Sequence, residues 1–356
     1  MTRFQVNRSN IREHRFETEE PRALAAGEVR MEVESFALTA NNISYAAAGD
    51  MLGYWDFFPA DLPWGHIPAM GHGRLVESAH TDIDAGGRYF GFYPMAEEHV
   101  FLATATGSGL WDARENRAPH APAYRQFSDL AKDPTHDPAR EDHFALLRGL
   151  FMTSFLAEDL LEDNGYFGAE STLVTSASSK TSIALGFCLQ QRGRSSVALT
   201  SARNLAFVQG LGCYDTVITY DQIGHLDPAR PSAVVDMAGN PAVTAAIHHH
   251  FRDNLKYSCA VGASHWEAFE GQSNDPLPGP TPTFFFAPAQ VEKRNADWGA
   301  GEVMRRLGER WVDYVVFCDT WLEIHRGRGP EALVGAYESL VEGTQPPHCG
   351  LIQSLS

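Results

Sequence analysis

Apolar and polar positions come in blocks along this chain, and the clearest blocks lie between Ser171 and Tyr220. Ser171-Thr172-Leu173-Val174-Thr175 is short, β-branched and apolar, the pattern of a strand buried on both faces. A small polar loop follows, Ser176-Ala177-Ser178-Ser179-Lys180-Thr181. Residues 183–191 then read as a helix with Ile183, Phe187 and Leu189 on or near one face. A second buried strand is predicted over 196–200, a second helix over 205–211 ending at Gly212, and a third strand over 216–220. Strand, helix, strand, helix, strand in about 50 residues is half of a doubly wound α/β fold, whose ligands sit at the carboxyl edge of the parallel strands.

The flanking pattern differs. Residues 1 to about 125 hold short β-like runs among glycines, prolines and aromatics, which suits a partly open β-barrel. Tyr54-Trp55-Asp56-Phe57-Phe58-Pro59 and Pro63-Trp64-Gly65 make an aromatic-rich loop that either lines an apolar pocket or seals a barrel end. Residues 120–141 read as an irregular surface connection and 146–161 as a helix. Beyond Val234-Val235-Asp236 the pattern predicts a helix over 240–255 and a strand over 257–263. A buried strand over 283–288, a long helix over 297–319, a helix from Gly329 and a last strand over 350–355 complete the chain. The division expected is a barrel domain over 1–150, completed by 289–356, and a doubly wound domain over 151–288.

The polar loop after the first strand is unusual chemically. A dinucleotide site normally has glycines here, so that backbone amides can approach a pyrophosphate. No GxGxxG is present; Ser178, Ser179, Lys180 and Thr181 offer hydroxyls, helix-start amides and one ammonium instead. Lys180-Thr181 matches the tail of a GxxxxGK[ST] phosphate loop, but both glycines of that motif are missing. A crossover that binds nothing is the plainer alternative. After the second strand, Thr200-Ser201-Ala202-Arg203-Asn204 has no acid for a ribose 2′-hydroxyl and supplies Ser201, Arg203 and Asn204. That favours the 2′-phosphate of NADP(H), which an arginine grips with charge-assisted bonds; the alternative is a capping serine beside a solvated arginine.

In this order the pieces resemble the medium-chain dehydrogenase/reductase superfamily, and within it the zinc-free quinone or enone reductases. Residues 27–34 look like the first catalytic-domain strand, and Leu38-Thr39-Ala40-Asn41-Asn42 resembles the asparagine-bearing turn after it. Pro68-Ala69-Met70-Gly71-His72-Gly73-Arg74-Leu75-Val76 is similar to P-x-x-G-x-E-x-x-G-x-V, and Gly87-Arg88-Tyr89-Phe90-Gly91 to G-D-R-V-x-G. GLGCYDTVITY, ending at Tyr220, resembles the third-strand signature G-A-D-x-V-I-x-Y, and Val234-Val235-Asp236-Met237-Ala238-Gly239 the fourth strand and turn. The resemblance implies a GroES-like barrel beside a Rossmann domain, an NADP(H) cofactor, a small-molecule substrate and a homodimer. It places Tyr220 beside the adenosine, Val261 and Gly262 at the nicotinamide, and Tyr45, with Asn41 and Asn42 before it, at the substrate carbonyl.

Composition and charge narrow the partners. The 356 residues are 44% hydrophobic and 21% charged, with a formal net charge of −17. That acidity argues against nucleic acid or an anionic membrane surface. Five widely spaced cysteines form no CxxC pair and suit reduced thiols. The start lacks a signal-peptide core and no long apolar run occurs, so a cytoplasmic protein is expected. Gly71-His72 invites a zinc reading, but no cysteine stands near Asn41 and no four-cysteine lobe follows. His248-His249-His250 point around a helix and do not converge on one ion. No G-x-S-x-G elbow supports a hydrolase. The expectation is an NADPH-dependent, zinc-independent reductase of an enone, quinone or related activated alkene. The alternatives are an enoyl-thioester reductase, or the same fold serving a binding or structural role without catalysis.

Overall fold

The computed structural model describes residues 1–261, 277–299 and 301–356. Gly262, expected at the nicotinamide, lies outside the described residues. In chain order the strands are β1 (Thr2–Asn7), β2 (Asn10–Thr18), β3 (Glu28–Leu38), β4 (Trp64–Gly65), β5 (Pro68–Ser78), β6 (Arg88–Pro94), β7 (Glu98–Thr106), β8 (Gly109–Asp112) and β9 (Gln126–Asp129). They continue with β10 (Ser171–Val174), β11 (Ser195–Thr200), β12 (Thr216–Thr219), β13 (Ser232–Asp236), β14 (Leu255–Ala260), β15 (Thr283–Phe284), β16 (Glu323–Arg328) and β17 (Cys349–Ser354). Two compact units result: Met1–Gly149 with Cys318–Ser356, and Leu150–Phe317.

The first unit is built on an antiparallel ladder in the order β3-β5-β6-β9-β8-β7. β7 also pairs with β3, from Glu28↔Leu102 to Glu32↔Glu98, so the ladder closes on itself and hides its edges. β17 adds to β3 and β16 adds in parallel to β17. Met31, Val33, Phe36, Tyr93, Phe101 and Phe127 fill the core. Stretch 120–141, expected to be irregular, contributes β9 to this ring. In the Gly71-His72-Gly73 motif the glycines serve packing. A Cβ at Gly71 would lie 2.3 Å from the Ser35 carbonyl oxygen, and one at Gly73 would meet the Tyr93 ring.

The second unit carries a parallel sheet in the order β12-β11-β10-β13-β14-β15. The chain reverses its direction of strand addition between β10 and β13, which is the topological switch point of a doubly wound fold. Leu173, Val197, Leu199, Val234, Ile247 and Phe251 pack together on this sheet. Helix Lys180–Gln191 starts three residues before its predicted start and is buried from Ser182 through Leu189. The helix predicted over 240–255 stops at Phe251, where Arg252 takes a φ of 49°, so β14 begins at Leu255. The predicted buried strand over 283–288 is a two-residue edge strand with Phe284 exposed, because helix Ala287–Trp298 starts directly behind it. The helix expected over 297–319 is Glu302–Cys318; a helix the sequence did not announce, Ala287–Trp298, precedes it, and the two are parted at Gly299 and Gly301, whose φ angles of 97° and 88° favour glycine.

Residues 289–317, expected to complete the barrel domain, stay with the second unit. Arg294 grips Asp159 through Nε (2.6 Å) and Nη2 (3.1 Å), and Tyr314 stacks on Phe151 at 4.6 Å between ring centroids. The return to the first unit is made by 318–356.

Candidate functional site

The loop after β10 is shaped by its own hydroxyls. Ser176 has a φ of 49°, the region a glycine would occupy without strain. Its amide donates to the Tyr220 hydroxyl (3.1 Å), while Ser179 N–H donates to the Ser176 carbonyl (2.7 Å). Ser179 caps helix Lys180–Gln191: its Oγ accepts from Ser182 N–H (3.1 Å) and donates to Ser182 Oγ (2.8 Å). Ser182 Oγ in turn donates to the Thr175 carbonyl (2.8 Å). Lys180 and Thr181 hold the first two helical positions, where amides have no acceptor within the helix. Tyr214, unnoticed in the sequence, lays its hydroxyl between the carbonyls of Ala177 (3.1 Å) and Ser182 (2.7 Å). Gly186 makes room for it, since a Cβ there would lie 2.4 Å from the Tyr214 ring.

The end of β11 faces the same loop. Asn204 Nδ2 donates to Ser178 Oγ (2.9 Å), linking two of the residues expected at the cofactor. Ser201 Oγ is buried and has no hydrogen-bond partner among the described residues. Arg203 is exposed in the turn Ala202–Asn204. Tyr220, half-buried, follows β12 and reaches back to Ser176. Serines 178 and 179, Lys180, Thr181, Ser201, Asn204 and Tyr220 thus gather at the carboxyl edge of β10, β11 and β12, with Arg203 at the rim.

Across the switch point the sequence concealed a buried carboxylate. Asp236, 4% exposed, accepts through Oδ1 from Thr175 Oγ1 (2.6 Å), Ala238 N–H (3.0 Å) and Gly239 N–H (3.1 Å), and through Oδ2 from Thr244 Oγ1 (2.9 Å). Thr175 Oγ1 also accepts from Met237 N–H (2.9 Å). The loops after β10 and β13 are therefore tied through one carboxylate. Val261 donates its amide to the Asp236 carbonyl (2.9 Å), which sets it beside this tie.

In the first unit, Asn41, Asn42 and Tyr45 lie on helix Ala40–Ala47. Asn41 Nδ2 donates to the Tyr45 hydroxyl (2.9 Å), leaving the phenol proton directed elsewhere. Burial, first, and then the neighbouring Tyr124 push the Tyr45 phenol upward, so it stays protonated and can donate. Asn42 is turned to structure: Oδ1 accepts from Thr39 N–H (2.7 Å) and Nδ2 donates to the Pro68 carbonyl (3.0 Å). Tyr45 packs on Tyr54 (4.4 Å between centroids), and the Tyr54 and Tyr124 hydroxyls are 3.4 Å apart. Phe57 meets Tyr54, Phe92, His120 and Tyr124. In the aromatic loop Trp55, Phe57 and Phe58 are buried, while Tyr54 is partly buried.

His72 is 2% exposed and packs against the rings of Phe90 and Phe144, and its Nε2 has no hydrogen-bond partner among the described residues. No group of three or more His, Cys, Asp or Glu gathers as a metal-ligand set among the described residues. His248 bridges the Pro278 carbonyl (2.9 Å) and Ser258 Oγ (3.0 Å) inside the second unit, and His250 meets the Leu226 carbonyl.

Whole-chain likenesses exist at low identity. The structure of CurA from Vibrio vulnificus in complex with NADPH is 12% identical, with a TM-score of 0.64 over 100% of this chain and 99% of that one. The yhdH oxidoreductase from Salmonella enterica in complex with NADP is 14% identical, with a TM-score of 0.56 over 100% of both chains. The quinone oxidoreductase from Coxiella burnetii is 14% identical, with a TM-score of 0.54 over 99% of this chain and 98% of that one. No curated protein matches the sequence. The fold is that of the medium-chain dehydrogenases and reductases, a GroES-like barrel with a Rossmann domain, as the resemblance implied. Residues 36–346 match the family described as "Protein of unknown function (DUF2855)", and the chain belongs to that family.

Proposed function

We propose that the protein is an NADPH-dependent, zinc-independent reductase of small activated alkenes, enones or quinones. The observation that carries this reading is the polar cluster at the switch point, where the orphaned Ser201 Oγ, the Asn204–Ser178 bond and the start of helix Lys180–Gln191 converge. NADPH supplies the hydride. Ser178, Ser179, Lys180 and Thr181 receive its phosphates with hydroxyls, helix-start amides and one ammonium. Ser201, Arg203 and Asn204 take the 2′-phosphate, and Tyr220 flanks the adenosine. Val261 borders the nicotinamide, held by the Asp236 carbonyl. Tyr45, fixed by Asn41, donates its proton to the substrate carbonyl oxygen as negative charge develops there. CurA and yhdH, crystallised with NADPH and NADP, support the cofactor, and the Coxiella quinone oxidoreductase supports the substrate class.

The reading dispenses with zinc because no cysteine stands near Asn41 and His72 is buried against two phenylalanine rings. It includes a homodimer through the β15 edge, where Phe284 and Phe286 are 37% and 47% exposed. One observation favours a second reading, a fold kept for binding without catalysis: the Tyr220 hydroxyl already occupies the Ser176 amide in a loop without glycines. Loss of NADPH absorbance with menadione, methyl vinyl ketone and crotonyl-CoA separates the two. Turnover of any of them sustains the reductase. Failure to bind NADPH, or binding without turnover of a broad acceptor panel, favours the second reading.

A further inference from the structure

The aromatic face of the first unit comes from two stretches distant along the chain, and one buried cation joins them. Tyr54 and Phe57 belong to the loop after Gly53; Tyr124 belongs to the short helix Pro122–Arg125. Arg117 lies beneath both and is 0% exposed. Its Nη1 donates to the Phe57 carbonyl (3.1 Å) and its Nη2 to the Tyr124 carbonyl. The guanidinium carbon stands 4.2 Å from the Phe57 ring centroid and 5.2 Å from that of Phe58. Asp112, also 0% exposed, answers the charge at 3.7 Å from Nε and is itself gripped by Arg114. Asn116 Nδ2 ties the Asp56 carbonyl from the outside.

Packing alone does not call for an arginine here. Burial works against its charge, lowering its pKa to about 10, and an apolar side chain would fill the same space without that penalty. What guanidinium adds is a rigid planar fork, which fixes two backbone carbonyls at a set separation. A lysine would keep the charge and lose the fork. The carbonyls it joins belong to Phe57 and Tyr124, whose rings stand 5.4 Å apart, and Tyr124 in turn meets the hydroxyl of Tyr54.

We infer that Arg117 is a positioning residue for substrate binding: it spaces Tyr54, Phe57 and Tyr124 into the face on which a flat conjugated acceptor, of the quinone type, lies beside Tyr45. This rests on the reductase reading above. Arg117 touches neither substrate nor cofactor; it acts through the two stretches it joins. Its removal therefore weakens acceptor binding and leaves the chemical step and NADPH binding alone.

The test uses the full chain with Arg117→Lys, Arg117→Met and the milder, partly exposed Asn116→Ala, read by steady-state kinetics with menadione and by NADPH titration. Both Arg117 variants should raise KM for menadione by roughly tenfold while kcat stays within about twofold and NADPH affinity is unchanged. A wild-type KM in Arg117→Lys overturns the assignment, because charge without the fork would then suffice. So does a parallel loss of kcat and NADPH affinity. Should Arg117→Met fail to fold, Arg117→Lys and a smaller rise in Asn116→Ala decide. Should the wild type reduce no acceptor, the reductase reading falls by itself. Nitration of Tyr54 and Tyr124 by tetranitromethane then decides: unequal rates between wild type and Arg117→Lys sustain the positioning role, and equal rates overturn it.

Discussion

Asp236 offers the sharpest structural prediction about the switch point. Replacing it with alanine strands the hydroxyl proton of Thr175 and the amides of Ala238 and Gly239, while the Thr244 hydroxyl turns to the Asn240 carbonyl. A buried donor left without an acceptor costs about 1–3 kcal/mol, and water can enter to satisfy part of the set. Asp236→Ala should therefore lose about 3–5 kcal/mol of stability, in line with other breaks of buried charged networks. Asp236→Asn behaves differently. Its Oδ1 keeps three donors, and its amide can donate to Thr244 Oγ1, whose proton turns to the Asn240 carbonyl 3.1 Å away. Only the charge assistance is lost, about 1 kcal/mol. Urea unfolding of both variants measures this directly, with NADPH affinity as a second readout because the loop after β13 is held by the same carboxylate. Equal losses for Ala and Asn, or a loss below about 1 kcal/mol for Ala, would refute the reasoning.

His66 and His72 are both held down to about 4, first by burial; Arg3 and Arg15 add to this at His66, and Arg88 and His136 at His72, where Glu141 and Glu34 oppose it. An unfolded imidazole titrates near 6.5, so between roughly pH 6.5 and 4 the unfolded chain binds more protons and stability falls as pH is lowered, by up to about 3 kcal/mol for each group. His72→Phe should remove part of that slope in urea midpoints, and an unaltered slope would contradict it. Ser179→Ala, which uncaps helix Lys180–Gln191, should cost about 1 kcal/mol in the same unfolding measurement, and no change would remove the capping role. If the protein forms the proposed homodimer through the β15 edge, Phe286→Asp should lower the mass to that of a monomer in light scattering after gel filtration; an unchanged mass would remove that edge from the interface.

The fold was legible where periodicity was strong. The runs at 171–175 and 196–200 became β10 and β11 because buried strands leave an uninterrupted apolar signal, and the run at 216–220 became the edge strand β12, which is only partly buried. Helix ends were misplaced where backbone conformation, not hydrophobicity, decided them, as at Arg252, Gly299 and Gly301. β9 was missed because four residues between a one-turn helix and a polar turn carry no period. Among the candidate residues, Ser178 and Asn204 proved to be bonded partners, while the Asn42 side chain is consumed by its own helix and Pro68. Tyr214 and Asp236 lie in stretches that resemble strand signatures but nothing there marks their side chains, and Tyr124 and Arg117 had no local motif. Their roles depend on partners brought together by the fold, from Thr175 for Asp236 to Phe57 for Arg117, which spacing along one chain does not reveal.

The central claim, an NADPH site made of hydroxyls and one arginine instead of glycines, is tested most directly by calorimetric titration of the wild type and Arg203→Ala with NADPH and NADH. A clear preference for NADPH is predicted, weakened by about 1.5–3 kcal/mol in Arg203→Ala, the value of charge-assisted bonds, with NADH unaffected. Binding of neither dinucleotide would contradict the account.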